Sequence, residues 1–259
     1  MTKHVKQIIK GIKMNQDFIE SVKKVRDTLI PPIHSAGWPF IVGFAVGSIL
    51  LALLWEPLGW AGLFITIWCF YFFRDPARVT PDRDGLVISP ACGHVSHITP
   101  NVTLPKELDK AKNTNNDYTR VSIFLNVFDV HVNRFPIKGT VTQKEYKEGA
   151  FVNAAFDKAS EENERAAILF ETEYKTKTYE MAVVQIAGWV ARRILCDAID
   201  GTDYQTGERF GIIRFGSRAD VYLPKGVNPM VTVGQRMIDG ETVIADLASK
   251  EKLRGGVIR

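Results

Sequence analysis

The chain has 259 residues, a net charge of +4 and three cysteines, a length that suits one large domain or two small ones. Residues 1–37 carry seven Lys/Arg against three Asp/Glu, so this segment holds the whole net charge and the remainder is balanced. A balanced body argues against a nucleic-acid-binding face, and the odd, scattered Cys69, Cys92 and Cys196 argue against a disulfide framework and for a reducing compartment.

In chain order, the basic lead-in (1–37) suits the neighbourhood of an anionic lipid surface. From Trp38 to Phe73 the only charge is Glu56, and four of the five tryptophans (Trp38, Trp55, Trp60, Trp68) fall here. The pattern predicts two apolar helices, Trp38–Trp55 and Leu58–Phe73, with Glu56-Pro57 as the turn. A spanning helix needs about 20 residues, so both are short, and spanning versus dipping into one leaflet stays open. Tryptophans near the ends suit an interfacial belt. No small-residue cleavage site of a signal peptide is evident. A hairpin returns both ends to one side, and the basic lead-in with Arg74 and Arg78 assigns that side to the cytoplasm.

After Pro81 short β-prone runs alternate with turn signals. Strands are predicted around Gly85–Ser89, Val121–Val127, Gly139–Gln143, Ala167–Glu171, Glu180–Ile186, Ile212–Leu223 and Thr242–Ala245. Asp84-Gly85, Asp200-Gly201 and Asp239-Gly240 mark turns, Lys112–Asp117 is a polar loop, and Ala154–Arg165 reads as a loop or short helix. The expected fold is mainly β (α+β), a β-sandwich-like domain preceded by a helical membrane hairpin.

Within Arg214–Pro224, RFGSRADVYLP, alternation places Ser217 on an apolar face with Ala219, Val221 and Leu223. Arg214, Arg218, Asp220 and Tyr222 take the other face, where the two arginines read as solvated charges, with phosphate binding as the other option. A buried hydroxyl without a partner is costly, so the serine needs an acceptor or a use. One use requires glycine just before it. The Ser217 oxygen attacks the Gly216 carbonyl, the resulting ester breaks by β-elimination, and hydrolysis of the dehydroalanine leaves a ketone. Glycine permits the backbone strain of that attack.

Several stretches together resemble the phosphatidylserine decarboxylase family, in its short bacterial form with an N-terminal hydrophobic hairpin. They are FFRDPARVTP (72–81), SPACGHV (89–95), FLNVFDVHVNRFP (124–136), KASEENERA (158–166), VQIAGWVARRI (184–194), GERFGIIRFGSRADVYLP (207–224) and VGQRMIDGETVIAD (233–246). The resemblance covers about residue 32 to residue 246. It implies a proenzyme that cuts itself between Gly216 and Ser217. The products are a β chain, 1–216, and an α chain, 217–259, that stay together as a heterodimer. Ser217 becomes a covalent pyruvoyl group (pyruvate as cofactor), which forms a Schiff base with the amine of phosphatidylserine and releases phosphatidylethanolamine and carbon dioxide. The implied organisation is an extension (1–37), a membrane hairpin (38–73) and a catalytic domain (74–259). The implied site is a bacterial cell membrane, with the catalytic domain on the cytoplasmic side, lipid as partner and no nucleic acid.

His131, in DVHV, matches a family histidine, and an imidazole suits delivery of the proton that replaces carbon dioxide. Asp129, two residues away, would share its face on a strand and orient the ring, or else be a surface residue ending that strand. One residue departs from the pattern: Cys92 stands where the family has aspartate, a residue that helps self-cleavage. Cys92 as a thiolate lowered by neighbours such as His94, or a carboxylate from Asp82, Asp84 or Asp129, would restore the function; otherwise processing is slow or absent, and the alternative reading is an unprocessed, catalytically impaired membrane protein of the same fold. Arg134, where long-type members carry a second histidine, matches the short form. Cys92 and His94 would share a strand face with His97 nearby, but no third and fourth ligands are visible, so no metal is expected. A lipoyl-type carrier hairpin at 231–246 is disfavoured because its tip, Ile238-Asp239-Gly240, has no lysine.

Overall fold

The computed structural model describes residues 31–257 apart from 114, 116, 150–162, 189–192 and 215. The lead-in through residue 30, residues 114 and 116 of the polar loop, residues 154–162 of the presumed loop or helix, residues 158–162 and 189–192 of two motifs, and Phe215 lie outside the described residues. The chain divides between Ala77 and Arg78 into two compact units.

Among the described residues, the first unit holds two α-helices, α1 (Trp38–Leu54) and α2 (Glu56–Phe72). The sequence placed the turn at Glu56-Pro57; the break is instead the extended Trp55, and Pro57 sits in the first turn of α2. Proline is tolerated there because a first-turn N–H has no intrahelical acceptor to lose. The helices meet through small residues. A Cβ on Gly59 would lie 2.4 Å from Ala52 Cβ, and one on Gly62 would lie 2.5 Å from Ser48 Oγ. Ser48 and Thr66 hydroxyls stand 3.3 Å apart across the seam, each also bonded to a carbonyl one turn back in its own helix. Close approach through small residues with internally satisfied hydroxyls is how helices associate in lipid. At the open end, His34 N–H donates to the Phe73 carbonyl and Asp75 N–H to that of Pro32, so both ends of the hairpin meet. Large apolar side chains point outward, with Leu54 81% and Phe64 72% exposed. The helical stretch Ser35–Leu54 is long and apolar enough to cross a membrane. These features point to membrane association.

The second unit is mainly β. Its main sheet has eight strands: β2 (Gly93–Val102), β3 (Tyr118–Leu125), β5 (Gly139–Lys147), β6 (Arg165–Tyr174), β7 (Lys177–Ala187), β9 (Asp203–Tyr204), β11 (Ser217–Leu223) and β12 (Arg236–Met237). Their order is β12-β2-β3-β11-β7-β6-β5-β9, antiparallel throughout. Two smaller sheets pair β1 (Leu86–Ile88) with β13 (Val243–Asp246), and order β4 (Val132–Arg134), β10 (Arg209–Ile213) and β8 (Ile194–Cys196) as β4-β10-β8. Val87, Phe210, Ile244 and Ala245 from the small sheets share one core with Val121, Ile123, Val183, Ala219, Val221 and Leu223 from the large one. The small sheets therefore cover one face of the large sheet, as the sandwich-like reading expects.

The other face is covered too. Leu104 and Leu108, between β2 and β3, pack with Tyr118, Leu169, Val184 and Tyr222. Every residue of β11 is buried as a result. The solvated reading of Arg218 is therefore corrected: it is fully buried, with Nε and NH2 each 2.8 Å from a carboxylate oxygen of Asp220. The long strand expected over Ile212–Leu223 is also corrected. It is two strands, β10 and β11, in different sheets, and the chain crosses between them at Arg214–Gly216. The crossing falls at the Gly-Ser pair.

Candidate active site

Strand pairing assembles this site. Val132 of β4 pairs with Ile212 of β10, and Ile213 N–H donates to the His131 carbonyl at 3.3 Å. Three residues on, Gly216 N–H turns back onto the ring and donates to His131 Nε2 at 3.2 Å. Gly216 has φ +78°, a left-handed conformation that glycine adopts without steric penalty. Among the described residues a Cβ there would touch only Val127 Cγ1, at 3.8 Å, so backbone conformation rather than crowding favours glycine.

Ser217 is the first residue of β11, paired with Leu125 on one side and Ala187 on the other. It is fully buried, and among the described residues its Oγ has no hydrogen-bond partner. A buried, unsatisfied hydroxyl costs about 1–3 kcal/mol, so a fold that retains one invites a use for it.

His131 is fully buried. Its Nε2 accepts from Gly216, so the ring proton resides on Nδ1 and is donated to the Asp129 carbonyl, 3.0 Å away. Asp129 thus meets the ring through its main chain, not through its carboxylate as the sequence suggested. The reason is local: Asp129 belongs to a turn, Asn126–Asp129, and not to a strand. Its Oδ2 accepts from Asn126 N–H at 2.9 Å and its Oδ1 pairs with Arg236 at 2.5 Å. Asp129 is also buried, so it is not the surface residue that the other reading allowed.

Cys92 faces a different set of groups. Its thiol donates to Asp239 Oδ1 at 2.9 Å, and Arg78 NH2 lies 3.4 Å from the sulfur. Asp239 is fully buried between Arg78 (2.5 Å to Oδ1) and Arg134 (2.9 Å to Oδ2). Cys92 and Arg134 therefore converge on one carboxylate. Burial, and then the Asp239 charge, push the Cys92 thiol up to about 12. That opposes the thiolate reading, since the sulfur is a protonated donor near neutral pH. Of the carboxylates considered as substitutes, Asp82 and Asp84 are exposed, and Asp84 pairs with Lys138 at 2.6 Å. Asp129 meets His131 only through its main-chain carbonyl, and its carboxylate is held by Asn126 N–H and Arg236.

Sequence reasoning missed Arg78, Arg236 and Asp239 as site neighbours. All three lie inside the quoted motifs, which was the available signal. The ion pairs they form join positions more than 100 residues apart, beyond any local pattern.

Comparison with known proteins agrees with the motifs. The family model described as phosphatidylserine decarboxylase matches residues 65–245. The phosphatidylserine decarboxylase proenzyme of Cereibacter sphaeroides is 56% identical over 232 residues, covering 90% of this chain and 97% of that protein. The protein of the same name from Paramagnetospirillum magneticum is 53% identical (88% and 92% covered), and that from Ruegeria pomeroyi is 52% identical (86% and 99% covered).

Proposed function

The chain belongs to the phosphatidylserine decarboxylase family, and from that premise we propose that it converts phosphatidylserine to phosphatidylethanolamine and carbon dioxide by means of a pyruvoyl group made from its own Ser217. The observation that carries this reading is the kinked Gly216 followed by a buried serine whose Oγ is unpartnered among the described residues, with His131 Nε2 on the Gly216 N–H.

The chain's own atoms supply the processing steps. Ser217 Oγ attacks the Gly216 carbonyl carbon, the C–N bond breaks, and the proton lost from oxygen ends on the freed Ser217 amine. The link is now an ester. Loss of the Cα proton of residue 217 expels the Gly216 carboxylate with its electron pair and leaves dehydroalanine. Water then replaces ammonia, giving the ketone at the head of residues 217–259. When formed, that ketone supplies an electron sink beside the substrate's α-carbon. The fit is chemical: among the described residues the hydroxyl spends no hydrogen bond that processing would have to break, and no metal-ligand set is needed.

His131 is the residue to move a proton at this point. Its Nε2 carries no hydrogen and faces residue 216, and its Nδ1 is anchored on the Asp129 carbonyl. The Nε2 lone pair can take up a proton from solvent and then hand it on in place of carbon dioxide, while the Nδ1–H bond to Asp129 holds the ring in place. Asp129 positions it, and Cys92 supports Asp239 as a neutral donor.

After cleavage the small chain stays bound to the large one. Its first strand, β11, is hydrogen-bonded on both sides, to β3 and β7. Arg78 and Arg134 hold Asp239, Asp129 holds Arg236, and Arg83 holds Asp246 across the same divide. The hairpin keeps the enzyme at a cell membrane with the catalytic domain in the cytoplasm, as the cationic flanks favour. The reading as an impaired relative has no observation in its support: Cys92 forms ordinary contacts with Asp239 and Arg78. The test is Ser217→Ala, which should give one uncut chain and no phosphatidylethanolamine; normal activity from that variant would overturn the mechanism.

A further inference from the structure

A lone exposed apolar side chain is ordinary on a protein surface. Phe128 differs in where it stands. It is 61% exposed on the turn Asn126–Asp129, which also builds the site. Asn126 Oδ1 accepts from Phe128 N–H at 2.8 Å, Asp129 N–H donates to the Asn126 carbonyl at 2.9 Å, and the Asp129 carboxylate binds Asn126 N–H and Arg236. The aromatic ring is thus presented on a fixed turn. On one side Val127 lies 3.8 Å from the Cβ position of Gly216; on the other the Asp129 carbonyl holds His131.

Cations border the same crossing. Arg214 N–H donates to the Arg193 carbonyl at 3.2 Å, which places two arginines side by side just before Gly216. Arg193 is exposed and Arg214 half-buried, and burial and the Arg193 charge both lower Arg214. An exposed aromatic with nearby cations is the composition of a surface that meets anionic lipid headgroups.

We propose that the Asn126–Asp129 turn is the catalytic unit's own contact with an anionic bilayer surface, with Phe128 entering among the headgroups and the exposed Arg193 facing lipid phosphates. This rests on the lipid decarboxylase reading and adds to it: the headgroup is drawn to Ser217 by a contact beside the site.

The test uses the full processed protein reconstituted in phosphatidylcholine bilayers. Long-chain phosphatidylserine is supplied in the same bilayer, and dibutanoyl phosphatidylserine from water. Phe128→Ser should still yield two chains on a denaturing gel. Its ratio of long-chain to short-chain rate should fall about tenfold, the scale expected for losing much of one aromatic burial, and Phe128→Trp should restore it. An unchanged ratio, or an equal fall in both rates, overturns this inference alone. If the unsubstituted enzyme turns over neither substrate, the decarboxylase reading fails and this inference fails with it.

Discussion

Asp220→Asn removes a charge from the most deeply buried ion pair among the described residues of the catalytic unit. Arg218 and Asp220 are both fully buried on β11, joined by two bonds of 2.8 Å, and Arg120 Nε lies 3.9 Å from Asp220 Oδ2. Asparagine keeps the side-chain size but takes the Asp220 charge away from the two bonds it makes to the Arg218 guanidinium. Breaking one side of a buried pair costs about 3–5 kcal/mol. That is a large share of the ~5–15 kcal/mol that holds a typical domain. At about 2–4 °C per kcal/mol, the thermal midpoint should fall by about 6 °C or more. The assay is thermal melting in a Ser217→Ala background, where the chain is expected to remain uncut. The double variant Arg218→Met/Asp220→Leu removes both charges and should recover most of the loss, since apolar replacement of a buried pair is often neutral. An Asp220→Asn midpoint within about 1 °C of its parent would refute the reasoning.

Gly216→Ala should slow or stop self-cleavage, because alanine at φ +78° carries a left-handed penalty of about 1–2 kcal/mol, and a denaturing gel reads the outcome. His131→Ala should lower decarboxylation by about 100-fold or more, the usual contribution of a positioned proton donor, measured as carbon dioxide release per processed chain. Cys92→Ser retains a donor to Asp239 and should process normally, whereas Asp239→Asn leaves Arg78 and Arg134 facing a neutral group and should cost about 3 kcal/mol in a denaturant titration. With its thiol pushed up to about 12, Cys92 should also resist alkylation at pH 8 until the protein is unfolded, as peptide mapping would show.

What the sequence revealed and what it hid follow from range. Alternation along 217–223 correctly assigned Ala219, Val221 and Leu223 to the core, because a strand's period of two is local. The same alternation gave Arg218 to solvent, because it carries no information about the segment around Leu104 and Leu108 that covers the other face. The break between β10 and β11 was hidden for a related reason: a glycine inside an apolar run can stay extended or turn, and here it turns to pass from one sheet to another. The proton on His131 Nδ1 and the carbonyl that receives it became legible only once Asn126–Asp129 was seen as a turn. The Cys92–Asp239 contact joins positions 147 residues apart, so the sequence showed the missing carboxylate at 92 but not the neighbour at 239.

The most direct measurement is the intact mass of the unsubstituted protein purified from membranes. Two chains divided after Gly216, the smaller starting with a pyruvoyl group in place of serine, are predicted. A single chain of full mass, or a small chain that begins with unmodified serine, would contradict it.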